Sequence, residues 1–200
     1  DISMNSKYSY MLADAKGYAQ VSCGYSHCTA LKSDGSLVSW GYDIYGQVSN
    51  TPTGTDFVQV SCGEYHCTAL KSDGSLVSWG YDNYGQVSNT PTGTDFVQVS
   101  CGEYHCTALK SDGSLVSWGY DNYGQVSNTP TGTDFVQVSC GYHHCTALKS
   151  DGSLVSWGRN DQRQVSNTPT GTDFVQVSCG QFHCTALKSD GSLVSWGYNS

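Results

Sequence analysis

The chain has 200 residues, with nine Lys+Arg against seventeen Asp+Glu and a formal charge of −8. That acidity excludes the basic footprint that phosphate binding needs, so no nucleic-acid partner is expected. Only 13% of residues are charged, Gly, Ser and Thr abound, and no apolar run approaches the roughly 18 residues of a spanning helix, which reads as a turn-rich β protein without a membrane span.

Residues 1–17 stand outside any repeat. No signal peptide is evident, and a start at Asp1 fits a processed mature chain. From Tyr18 onward a 39-residue unit recurs, at 18–56, 57–95, 96–134 and 135–173, with a shortened copy at 174–200. The second and third copies are identical, and the fourth differs from them at seven positions. Such repetition signals units that bury a core only against their neighbours. It also argues against an enzyme, because one catalytic centre needs unlike residues converging on one place. No cofactor is expected.

Within a unit, Phe57-Val-Gln-Val-Ser-Cys62 alternates apolar and polar residues and predicts a strand. Gly63-Glu-Tyr-His66 is a short loop, and Cys67-Thr-Ala-Leu-Lys-Ser72 is a second strand. Asp73-Gly74 predicts a type I′ hairpin turn, with positive φ at both central residues. Ser75-Leu-Val-Ser-Trp79 is a third strand, Gln86-Val-Ser-Asn89 a short fourth, and Thr90 to Asp95 a turn into the next unit. The expected fold is all-β: one domain over 1–200, a five-bladed β-propeller of antiparallel repeats. Radial packing protects the sheet edges. Val58, Val60, Ala69, Leu70, Leu76, Val77 and Trp79 are the expected inter-blade filling, with Trp40, Trp118, Trp157 and Trp196 in the same frame. Lys7 to Leu12 is expected to supply the outer strand missing from the last unit, closing the ring by pairing the two termini. The alternative is an unclosed array that associates with further copies into a filament or surface layer.

Ten cysteines fall as five pairs, Cys23/Cys28, Cys62/Cys67, Cys101/Cys106, Cys140/Cys145 and Cys179/Cys184. Regular pairs fit disulfides in an oxidising compartment; buried hydrophobes are the alternative. Zinc is a third option because His66 adjoins Cys67, but the four-residue spacer and single His per unit make a weak ligand set. No metal site is therefore expected.

Val58, Val60, Cys62, Gly63, His66, Ala69, Leu70, Asp73, Gly74, Leu76, Trp79, Gly80, Gly85 and Gln86 form a long pattern. It resembles the repeat of the regulator of chromosome condensation family and covers nearly everything after residue 17. The resemblance implies a propeller, usually with seven blades in that family. The compact blades look most like those of its secreted bacterial β-lactamase-inhibitor members, which bind through aromatic residues on one face.

Almost every difference between copies falls in two loops. The loop before the repeated His carries Tyr25, Tyr65, Tyr104, Tyr142 with His143, and Phe182. The loop after Trp-Gly carries Tyr42, Tyr84 and Tyr123, and in the fourth copy Arg159 and Arg163. In an antiparallel meander these first and third connections share one face. The invariant Asp-Gly turn and Thr-Pro connector share the other. The varying face is read as the ligand-binding surface, its rings serving as protein anchors or sugar-stacking groups. His143, an extra histidine beside Arg159 and Arg163, is read as either a local anionic contact or a solvated surface group, and the repeated His as a brace of its own hairpin. The expected role is a non-catalytic binding module, extracellular or displayed on a cell or virion surface. Its expected partner is a protein or glycan. The alternative role is a self-associating structural subunit.

Overall fold

The computed structural model describes residues 17–198. Five antiparallel three-stranded sheets follow in chain order. The first contains β1 (Tyr18–Cys23), β2 (His27–Lys32) and β3 (Leu37–Gly41); the second β4 (Phe57–Cys62), β5 (His66–Lys71) and β6 (Leu76–Gly80). The third contains β7 (Phe96–Cys101), β8 (His105–Lys110) and β9 (Leu115–Gly119). The fourth contains β10 (Phe135–Cys140), β11 (His144–Lys149) and β12 (Leu154–Gly158); the fifth β13 (Phe174–Cys179), β14 (His183–Lys188) and β15 (Leu193–Gly197). First strands of successive sheets lie beside one another, as the inner strands of propeller blades do.

Three local expectations are corrected. Val58 is exposed, not core, because a β-bulge shifts the register between Phe57 and Gln59. The extra residue lets Phe57 and Val60, three apart, share the buried face. The Asp73-Gly74 turn is not type I′. Gly74 alone has positive φ, +84°, and its N–H returns to the Lys71 carbonyl at 3.0 Å while Lys71 N–H reaches Ser75. That is a three-residue loop ending in a glycine bulge. The segment Gln86 to Asn89 is a tight turn, not a strand: the Asp82 carboxylate accepts N–H bonds from Val87 and Ser88 and coils it inward.

Each core cluster lies between two repeats. Leu70 and Leu76 of the second sheet pack against Phe96, Val99, Cys106, Ala108 and Trp118 of the third. Polar bonds cross the same boundary. The Gln59 amide donates to the Val99 carbonyl (3.2 Å) and accepts from Val99 N–H (2.9 Å). Ser61 Oγ accepts from Cys101 N–H, and Trp118 Nε1–H donates to the Gln86 carbonyl, both at 2.9 Å. Four such clusters join the five sheets.

The expected closing segment, residues 1–17, lies outside the described residues except for Gly17. Within them the first and fifth sheets do not pack together. Tyr18, Val21 and Trp40 are 68%, 59% and 48% exposed, whereas their equivalents Phe57, Val60 and Trp79 are at most 3% exposed. At the other end Leu193 is 67% exposed against 9% for Leu154.

All five cysteine pairs are disulfides, each linking residues directly opposite on the first two strands of a sheet. The repeated His lies over the glycine of its own hairpin loop and also reaches the following repeat. His66 is fully buried at the boundary, with Nε2 3.1 Å from Cys106 Sγ of the following repeat. His27, His105 and His144 repeat the contact.

Candidate binding face

The two varying loops meet on one face. The first is tied across repeats by a backbone bond at each step: Glu64 N–H donates to the Glu103 carbonyl, and Glu103 N–H to that of Tyr142, each at 3.0 Å. These bonds do not depend on which side chains the loop carries. Glycine is required beside them, because a Cβ on Gly63 would collide with the Gly102 carbonyl oxygen. The second loop hangs from the first through Tyr81 N–H, which donates to the Tyr65 carbonyl at 2.9 Å. Asp43 shows how that loop is coiled, since N–H bonds from Ser49 and Val48 hold its carboxyl below the usual aspartate range. The opposite face owes its invariance to packing. Phe96 N–H donates to the Gly74 carbonyl at 3.1 Å, and Gly74 lies against Thr94.

The aromatic side chains form a continuous belt. Tyr65 touches Tyr25, Tyr42, Tyr45, Tyr81 and Tyr104 at centroid distances of 5.6–6.5 Å. Tyr45 meets Tyr81 at 4.8 Å and Tyr84 meets Tyr120 at 4.9 Å. Tyr123 packs on His143 at 5.1 Å, His143 on Tyr142 at 4.7 Å, and Tyr142 on Phe182 at 5.7 Å. Phe182 then reaches Tyr198. These distances suit edge-on and offset ring packing.

All the sequence-nominated rings are here, but their exposure differs. Tyr25, Tyr42, Tyr84 and Tyr123 are exposed, whereas Tyr65, Tyr104, Tyr142 and Phe182 are half-buried supports. Exposed Tyr45 and Tyr198, and half-buried Tyr81 and Tyr120, belong to the belt and were missed. Their signal was present: the loop Tyr-Asp-x-Tyr-Gly carries two rings, and both reach the face.

Two of the three cations read as an anionic contact, His143 and Arg159, already have partners. His143 Nε2 lies 2.9 Å from the buried Glu103 carboxylate. Arg159 pairs with Asp161 in its own loop and lies 5.1 Å over the Tyr123 ring and 5.8 Å over Phe182. It thus fills the place of Tyr81 or Tyr120 and carries the belt past the fourth repeat. Asn160 replaces the aspartate acceptor, taking N–H bonds from Val165 and Ser166, so the charge moves one residue along to meet Arg159. Arg163 occupies the left-handed position held elsewhere by glycine, at φ 60°.

Beneath the belt lies a carboxyl pair that sequence reasoning missed. Burial and the Glu103 carboxyl push the Glu64 carboxyl up. Burial opposes charge on Glu103 too, but hydrogen bonding to His143 and Glu64 outweighs it and holds that group low. Burial and these carboxylates keep the Tyr104 and Tyr142 hydroxyls protonated.

No catalytic set stands on this face among the described residues. At the boundaries His66, Cys101 and Cys106 converge, but sulfurs bonded to each other offer no thiolate to a metal. The outer grooves, such as that lined by Leu115, Val126 and Pro130, are shallow and open.

No curated protein sequence matches the chain significantly. Among solved structures, the ectodomain of the receptor kinase CR4 from Physcomitrella patens superposes with TM-score 0.76 and 19% identity, covering 90% of this chain and 53% of that one. Yeast RCC1 (Prp20), bound to Kap60, gives 0.75 and 22% over 90% and 56%. Human WBSCR16 gives 0.73 and 22% over 90% and 61%. The chain therefore spans between half and two thirds of each of these structures, and at such identity the likeness concerns the fold. The regulator of chromosome condensation (RCC1) repeat pattern itself matches residues 18–47, 57–86, 96–125, 135–164 and 174–200. The chain belongs to the regulator of chromosome condensation repeat family.

Proposed function

We propose that the chain is a non-catalytic module that binds a protein through the aromatic belt, in an oxidising, extracellular or surface-displayed setting. The observation that carries this is the belt itself, a run of rings across all five repeats on one face. Variation between copies is weaker support, because the backbone bonds that tie this loop across repeats already permit it. Tyrosine brings contact area with little rotamer entropy, and exposed rings braced by half-buried ones lose little freedom on binding. The broad face suits a macromolecule better than a small ligand. Family members bind proteins, as Prp20 does Kap60, and five disulfides fit the setting.

The test is capture of a partner from cell-surface extracts, with a glycan array in parallel. Titrations then use Tyr25→Ala, Tyr84→Ala and Tyr123→Ala, whose rings are exposed, with Thr92→Ala on the opposite face as control. Each tyrosine change that removes an anchor should weaken binding by about 1–3 kcal/mol, roughly 5- to 150-fold. The control should bind normally. Loss of binding in the control with retention in all three tyrosine variants would assign the wrong face. Strong array signals with no protein captured would make the ligand a glycan.

A further inference from the structure

We propose that the fifth sheet of one chain seats on the first sheet of a second copy, reproducing between molecules the interface that joins repeats within one. This contact is separate from the aromatic belt.

Each internal interface has two unlike halves. The following sheet offers a back half, Phe96, Val99, Cys106 and Trp118 in the third repeat. The preceding sheet offers a front half, His66, Leu70 and Leu76 in the second. Among the described residues, the first sheet has a back half with nothing on it: Tyr18, Val21, Cys28 and Trp40. The fifth has an uncovered front half: His183, Leu187 and Leu193. The chain thus presents both halves of a contact that it makes four times internally.

The polar groups match as well. Gln176 occupies the position from which Gln59 clamps the Val99 backbone, and would clamp Val21. Ser178 stands where Ser61 accepts from Cys101 N–H, and would accept from Cys23. His183 stands where His66 meets Cys106, and would meet Cys28. Gln176, Ser178 and His183 are exposed, while their internal equivalents are half-buried or buried. The bond from the Trp118 indole to the Gln86 carbonyl has no counterpart among the described residues of the fifth repeat. Tyr18, where internal repeats carry phenylalanine, keeps the ring and adds a hydroxyl suited to a face that is wet when unpaired.

Front meets back, so the contact is heterologous and leaves one face of each kind free on a pair. Between molecules it lacks the effective concentration that covalent linkage supplies, so assembly should rise with protein concentration.

Sedimentation velocity across a dilution series of the whole chain is the test. The wild type should associate reversibly. Val21→Asp and Leu193→Asp, both at exposed positions, should each remain monomeric. Mixed in equal amounts, they should form a dimer that grows no further, because each retains the half that the other lacks. A wild type that stays monomeric at every concentration overturns the proposal, whatever covers the faces. Association that survives both single changes, or a mixture that stays monomeric, overturns it too.

Discussion

Acidifying the protein from about pH 7 to about pH 4.5 should remove on the order of 5–8 kcal/mol of stability, enough to unfold many domains of this size. The cause is the row of buried histidines. His66 and His105 are pushed down to about 3 and His144 to about 4, chiefly by burial. Unfolded, each would titrate at the ordinary imidazole value of 6.5. Below that pH the unfolded chain takes up protons that the folded chain refuses. Their stabilising contribution is therefore complete above 6.5 and falls with pH, by about 1.4 kcal/mol per unit per histidine, until the folded values are approached. Glu64 works the other way, because its raised carboxyl favours the folded state in acid. The depressed aspartates Asp34, Asp73 and Asp112 add their loss only below their ordinary value of 3.8. Urea unfolding at a series of pH values measures the slope, and His105→Gln should lower it by about a third. Stability that is flat across this range would mean that the histidines are not sealed between sheets.

Trp118→Ala should cost about 3–5 kcal/mol, whereas Trp40→Ala should cost under about 1 kcal/mol in dilute protein. The two tryptophans occupy the same place in the repeat, so local sequence predicts no difference. Position in the array does. Trp118 is buried against Leu70 and Leu76, and its indole N–H satisfies the Gln86 carbonyl. Truncation leaves a cavity and an orphaned acceptor. Among the described residues nothing covers Trp40, which lies 48% exposed on the back of the first sheet. Equal costs, measured by denaturant unfolding below the concentration of any association, would show that the first sheet is covered in solution.

Three strands of each unit, the repeat frame, the grouping of the cysteines in pairs and the shared face of the two varying loops were legible from the sequence, because each depends on local pattern or strand direction. The errors arose where one residue shifts a register. Alternation placed Val58 inside, but the bulge beside Phe57 turns it out. Asp-Gly suggested a two-residue turn, but the ladder closes one residue further on, with Gly74 alone at positive φ. Partners from the next repeat were invisible for another reason. His66 meets a cysteine 40 residues away, and nothing in its own unit distinguishes that from bracing Cys67. The Glu64 and Glu103 pair was hidden likewise, since the two carboxyls come from equivalent positions in different repeats. In the fourth repeat the exchange of Asp-Asn for Asn-Asp keeps the turn acceptor and gives Arg159 its partner, a pairing visible only once the loop is coiled.

Hydroxyl-radical footprinting of the chain with and without its captured partner tests the binding face most directly, since tyrosine rings report well and all lie within one chain. Protection should fall on Tyr25, Tyr42, Tyr45, Tyr84 and Tyr123, the exposed rings of the belt. Val58, Val97 and Val136, exposed on the strands outside it, should react as before. Protection of those valines or of the Thr-Pro connectors, with the tyrosines unchanged, would contradict the assignment of the aromatic belt as the surface that binds.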